Sequence, residues 1–221
     1  DRLRSRGLGD VYKRQIYMFA GRKSTGFMMR RARRMHMSKV NVYLADGFEE
    51  VEGLTVVDLL RRAGIETDMV SIMGRKEIVG ARKIPVLADK LFEEQDDPDV
   101  IVLPGGMPGT LHLKAHEGLA DLIRKADKEG KLLAAICAAP TIYGEMGLLE
   151  GKNATCYPGM EDKLLGANWQ EQPVVVDGNF VTSRGVGTAI AFALTLVTIL
   201  KDEETAKSLA CLLYTSDAAD E

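Results

Sequence analysis

Cysteine is scarce in this chain of 221 residues: there are three, Cys137, Cys156 and Cys211, with no regular spacing. That excludes a disulfide framework and gives no zinc-site pattern. Aromatic residues make up 6% and tryptophan occurs once. No apolar run approaches the roughly 20 residues that a membrane-spanning helix requires. There is no internal repeat and no low-complexity linker, which argues against solenoid and multi-domain readings. Acidic residues are missing locally. Residues 1–36 hold 11 Lys/Arg against 2 Asp, whereas residues 37–210 hold 18 basic against 27 acidic residues. The formal charge of −3 thus conceals a basic head and an acidic body, and an acidic body does not suit a nucleic-acid partner.

Both ends look foreign to the rest. Residues 10–15 (DVYKRQ) and 211–216 (CLLYTS) can be encoded by opposite strands of one short DNA element. GATGTGTATAAGAGACAG reads DVYKRQ, and its reverse complement, offset by one base, reads CLLYTS. Both resemble translated transposase adapters and are set aside from fold reasoning. Residues 16–36 are Arg-rich without an acidic residue, as a transit peptide would be. Lying between an adapter and a start at Met35 or Met37, they read instead as translated upstream sequence. We therefore expect residues 1–36 to be disordered and 211–221 to be an adapter-derived tail. Residues 37–210 should form one α/β domain, cut off inside its last helix.

Hydrophobic residues are 46% of the chain, enough for one sizeable core. Residues 39–45 (KVNVYLA) read as a buried strand. Residues 49–64 read as an amphipathic helix with Val51, Leu54, Val56, Leu59, Leu60 and Ala63 inward, stopped by Gly64. Strands follow at 65–72 and 99–103, with short irregular strand signals over 77–88. A helix over 117–128 buries Leu119, Leu122, Ile123 and Ala126. Residues 132–136 form a strand, 140–148 a helix, and 174–183 a hairpin turned at Gly178-Asn179. Residues 188–200 are apolar almost all round, predicting a buried helix. Strands alternating with helices predict a mostly parallel sheet covered on both faces.

The stretch 131–139 (KLLAAICAA) organises the rest. It is a buried strand that turns sharply at Cys137 into a helix beginning with Pro140, a residue suited to a first helical turn. The free N–H groups and positive end of that helix should favour the thiolate of Cys137. A small core thiol is the plain alternative. Ligands of such folds bind at the C-terminal ends of the strands. That end gathers Glu49, Glu50 and Glu52 after the first strand, the loop Pro104-Gly105-Gly106, and Cys137.

Five segments carry a resemblance: DGFEEVE (46–52), DLLRRAGI (58–65), VIVLPGGMPG (100–109), AAICAAP (134–140) and TSRGVGTA (182–189). Together, in this order, they resemble the ThiJ/PfpI (DJ-one) superfamily, its Parkinsonism-associated deglycase and bacterial YajL branch. The resemblance implies a flavodoxin-like three-layer sandwich, a homodimer and a reactive cysteine on a strained elbow. It makes Cys137 the nucleophile, Glu52 its partner, and the N–H groups of Gly106 and Ala138 oxyanion donors. An ionised Glu52 would repel a thiolate, so Glu52 should keep its proton and donate it to sulfur. Without the resemblance, Glu52 is an ordinary first-turn glutamate complementing the helix dipole. Ala138 stands where peptidase-like members carry histidine, which removes the base from a Cys-His reading. Tyr157 in TCYPGMEDK (155–163) stands where deglycase-type members often have histidine, as on the YajL side.

Other candidates sit around this set. Gly105 supports the loop, and Arg62, Arg82 and Arg184 match family arginines near the interface or site mouth; pairing with surface acids explains them equally. Cys156 is either a resolving thiol or an inert strand-end cysteine. His112 and His116 are four residues apart, but no third metal ligand is apparent. The expected function is cofactor-free, cysteine-dependent glyoxalase or deglycase chemistry on reactive carbonyls such as methylglyoxal, or on early glycation adducts of proteins. The alternative is a redox-sensing stress protein acting through oxidation of Cys137. No metal, nucleic acid or membrane partner is expected, and we read the chain as cytoplasmic.

Overall fold

The computed structural model describes residues 38–213. The whole basic head, with the DVYKRQ segment, and the end of the CLLYTS segment lie outside them. Cys211, Leu212 and Leu213 continue the final helix.

Six strands build a parallel sheet: β1 (Lys39–Leu44), β2 (Glu66–Ser71), β5 (Lys90–Leu91), β6 (Val100–Leu103), β7 (Leu132–Ile136) and β11 (Phe180–Ser183). β10 (Val174–Asp177) adds antiparallel to β11, giving the order β10-β11-β7-β6-β1-β2-β5. Two small pairs complete the strands: β3 (Glu77–Val79) with β4 (Pro85–Leu87), and β8 (Asn153–Ala154) with β9 (Asn168–Trp169). The helices are α1 (Glu50–Arg62), α2 (Gly109–Ala115), α3 (Glu117–Lys128), α4 (Pro140–Glu145), α5 (Ala189–Leu200) and α6 (Glu203–Leu213). This is a flavodoxin-like α/β sandwich. No helix among the described residues is long and apolar enough to cross a membrane.

Alternation along the strands divides the core. Tyr43, Ile101, Leu103, Leu133 and Ala135 face Leu113 of α2, Leu119 and Ile123 of α3, and Ile142 and Tyr143 of α4. All strand side chains of β6 and β7 are buried, as expected of central parallel strands covered on both faces. On the other side α5 packs against α1 and α6.

Three local expectations change. Val51 is 46% exposed while Glu50 and Glu52 are buried, so the inward face of α1 begins with carboxylates. The apolar period alone cannot see that the N-terminus of α1 points into a site. The helix from Pro140 ends at Glu145, because Gly147 at φ 73° turns the chain. In α5, Phe192, Ala193, Leu196 and Val197 are buried, but Thr198 is exposed and Ile190, Ala191, Ile199 and Leu200 are half-buried.

Candidate active site

β7 ends at Ile136, and the next residue must reverse direction to start α4. Cys137 makes that reversal at φ 66°, a left-handed conformation that costs a side-chain-bearing residue about 1–3 kcal/mol. Both its backbone groups are tied down. Its N–H donates to Ser183 O at 2.9 Å, and its carbonyl accepts the Tyr157 N–H at 2.7 Å. The strain is therefore held by β11 on one side and the 155–157 loop on the other, and the thiol is presented at the sheet's C-terminal edge.

Glu52 reaches it from the first turn of α1. The carboxyl is fully buried. Gly105 N–H donates to Oε2 at 2.8 Å. Oε1 has no hydrogen-bond partner among the described residues, and the carboxyl lies beside the Cys137 thiol. Oε2 is thus the accepting oxygen, and Oε1 is the oxygen left to carry a proton. Burial pushes Glu52 up to about 7, against the lowering contacts of the Gly105 N–H and the thiol.

The thiol's surroundings correct one expectation. Burial, followed by the charge of Glu52, pushes Cys137 up to about 12, while the N–H groups of Ala138 and Gly106 pull it down. α4 has six residues, too short for its dipole to dominate. A thiolate therefore forms here when Glu52 holds the proton and its repulsion is gone. One proton is shared by the pair, and its titration belongs to both.

The glycines make this closeness possible. A Cβ on Gly105 would stand 2.7 Å from Cys137 Cβ and 2.8 Å from Glu52 Oε2. Gly106, at φ 92°, would meet Glu49 N at 2.3 Å. The loop is locked onto α1 by the Glu49 N–H, which donates to Gly105 O at 2.9 Å. The N–H groups of Gly106 and Ala138 converge on Sγ, where they could stabilise an anionic oxygen on a group bonded to sulfur.

The structure brings Cys137, Glu52, Gly105, Gly106 and Ala138 together, with Tyr157 half-exposed at the mouth. Arg82 lies close by. Its guanidinium is 3.5 Å from the Glu49 carboxylate, and the Arg82 backbone N–H donates to Glu50 Oε1 at 2.7 Å. Arg184 pairs with Glu171 at 3.5 Å, beside the site loop. Arg62 is not brought in: it pairs with Asp58 at the far end of α1, about 15 Å along the helix from Glu52. Cys156 is buried, its thiol donating to Tyr157 O at 3.5 Å, and burial pushes it up to about 12; it has the surroundings of an inert thiol. His112 Nδ1 contacts Asp46 O at 3.1 Å, and His116 caps α3 by accepting the Leu119 N–H at 3.0 Å. Neither faces Cys137, and no metal-ligating cluster occurs among the described residues.

One site residue was missed. Gly185, at φ 158° and ψ −163°, lies over the pair: a Cβ there would be 3.8 Å from both Cys137 Sγ and Glu52 Oε1. The available signal was a glycine-rich turn, RGVG, directly after a predicted strand, at the same edge as Cys137.

The DJ-1/PfpI family model matches residues 38–199. The chain belongs to the DJ-1/PfpI family. Among curated relatives, DJ-1 homolog B of Arabidopsis thaliana is 41% identical over 172 residues, 76% of this chain and 39% of that longer protein. A deglycase of Pyrococcus abyssi is 36% identical over 167 residues, covering 74% of this chain and 99% of its own length. The crystal structure of Drosophila melanogaster DJ-1beta superposes with a TM-score of 0.77 at 37% identity, covering 80% of this chain and 98% of that one.

Proposed function

We propose that this DJ-1/PfpI protein is a cofactor-free enzyme acting on reactive carbonyls, with methylglyoxal or early glycation adducts as substrates. The carrying observation is Glu52: a fully buried carboxyl beside the Cys137 thiol, raised to about 7, with Oε2 fixed by the Gly105 N–H and Oε1 left without a hydrogen-bond partner among the described residues. A general acid/base is most effective near the operating pH. Cys137 Sγ attacks the aldehyde carbon. The S–C bond forms as the carbonyl π pair moves to oxygen, which is met by the Gly106 and Ala138 N–H groups and takes a proton from Glu52. Glu52 then carries protons for the rearrangement of the hemithioacetal, and water releases a hydroxy acid. Methylglyoxal plus water equals lactic acid, so no oxidant or reductant is consumed. The Pyrococcus relative is named a deglycase, which supports a reading that includes glycation adducts.

The same two N–H groups also suit the oxygens of an oxidised sulfur, which supports the redox-sensing reading. Turnover separates the two. With excess methylglyoxal and no glutathione, lactate should greatly exceed protein, and Cys137→Ala and Glu52→Gln should each lower kcat/KM at least about 100-fold. Loss of at most one aldehyde per Cys137, or equal loss in Cys137→Ala, would rule out the enzyme and favour the sensor. We also propose pairing with a second copy, supported by Val51, Ile84 and Leu87, which are 46%, 50% and 70% exposed. They lie on α1 and the β3–β4 hairpin, which meet through Glu50 and Arg82.

A further inference from the structure

Resting on that carbonyl reading, the geometry assigns a specificity-determining role to Gly185. We propose that Gly185 and Tyr157 together set the size of the group a substrate can carry beside the attacked carbonyl. The position a Cβ of residue 185 would occupy is in van der Waals contact with three things at once: Sγ and Glu52 Oε1, each at 3.8 Å, and Tyr157 Cδ2 at 3.4 Å. That point therefore borders the nucleophile, the acid/base oxygen and the mouth. On this proposal, a carbonyl approaching Sγ with its oxygen directed to Gly106 and Ala138 places a substituent in this space. An absent side chain keeps it open, and the Tyr157 ring bounds its outer side.

The wall is held firmly. The Gly185 N–H donates to Thr188 Oγ1 at 3.1 Å, that oxygen lies 2.8 Å from Gly185 O, and Ser183 Oγ is 2.7 Å from it. Ser183 in turn accepts the Cys137 N–H through its carbonyl. One hydroxyl thus ties the wall to the strand that supports the nucleophile, so an incoming group cannot push the loop aside without disturbing Cys137. Small dicarbonyls such as glyoxal and methylglyoxal should therefore be accepted, and the ring of phenylglyoxal should press on Tyr157.

The test compares wild type, Gly185→Ala and Tyr157→Ala, with Gly187→Ala as the control in the same loop, since a Cβ there meets nothing within 4 Å. Gly185→Ala should lower kcat/KM for methylglyoxal at least about 10-fold further than for glyoxal. Tyr157→Ala, which removes a half-exposed ring, should raise the phenylglyoxal-to-methylglyoxal ratio at least about 5-fold, a gain that damage to the fold cannot produce. A reading independent of turnover is alkylation by iodoacetamide, followed by peptide mass. Cys137 should react more slowly in Gly185→Ala, with the exposed Cys211 in the same sample as reference. Turnover in wild type with unchanged aldehyde ratios in both variants overturns the proposal. An inert wild type whose Cys137 alkylation is slowed by Gly185→Ala overturns the carbonyl reading and leaves the wall standing. An inert wild type with unchanged alkylation overturns both.

Discussion

A buried glutamate is the residue on which the site's behaviour turns. With an ordinary value of 4.5 raised to about 7, Glu52 keeps a proton in the folded state that the unfolded chain has already lost. Below pH 4.5 the carboxyl is protonated in both states and burial costs no charge. As pH rises from 4.5 to 7 the folded state binds more protons than the unfolded one, so stability falls. Above pH 7 the penalty reaches about 3 kcal/mol. Glu52→Gln can still accept the Gly105 N–H, and it carries no charge to bury. It should gain on wild type across that window and exceed it by several degrees in melting temperature at pH 8, with no such gain at pH 4.5. A difference that stays constant with pH in thermal melts would show that Glu52 is not the titrating group.

At the scale of elements, the site depends on how tightly the turns around β7 are packed. α4 is short and its middle is pressed against the 163–165 segment. A Cβ on Gly144 would stand 2.4 Å from Lys163 O and 2.8 Å from Leu164 Cα, backbone atoms that cannot swing away. Gly144→Ala should therefore cost about 1–3 kcal/mol, read as a lower urea midpoint. Because Tyr157 N–H holds the Cys137 carbonyl, pushing this region outward should also lower turnover. A variant as stable as wild type would mean that the loop yields freely. α1 shows the converse: Gly53 sits 3.0 Å from Phe48 Cε2 by the same measure, which brings the helix close beneath the first turn and sets Glu52 against the thiol.

For the whole molecule, Val51 on α1 and Ile84 and Leu87 of the β3–β4 hairpin are among the exposed large apolar side chains that an isolated chain leaves uncovered. Large apolar side chains grouped on one surface mark interaction sites. If two copies pair there, Leu87→Asp and Val51→Asp should each shift the chain to a monomer in sedimentation measurements, with Cys137 still reactive towards iodoacetamide. An unchanged sedimentation coefficient in both variants, or a wild type that is monomeric at all concentrations, would end this proposal. Charge acts at the same scale. The acidic body is laced by surface ion pairs, such as Arg62 with Asp58 at 2.8 Å and Lys207 with Glu203 at 2.7 Å. Exposed pairs of this kind contribute little each, so the fold rests on the buried strands.

Much was legible because strand and helix periods are local. β6, β7 and α3 need only their own side chains to declare themselves, and Cys137 followed by Pro140 marks a turn between them. Spacing and composition determined the alternating α/β class, the candidate core and the thiol. Whether Glu52 is a helix-dipole partner or a proton carrier was not local: Val51, its neighbour, looked inward by period yet is exposed. Only the tertiary structure shows what surrounds Glu52, folding Gly105 onto Oε2 and burying the carboxyl beside the thiol. The state of Cys137 was decided in the same way. The helix end visible in the chain favours a thiolate, while burial and a second acid brought from 85 positions away oppose it, so the balance depends on where that acid keeps its proton. Gly185 could gain meaning only when β11 was laid beside β7. A residue with no side chain leaves no chemical mark in a sequence, and its role is the space that other elements close around it.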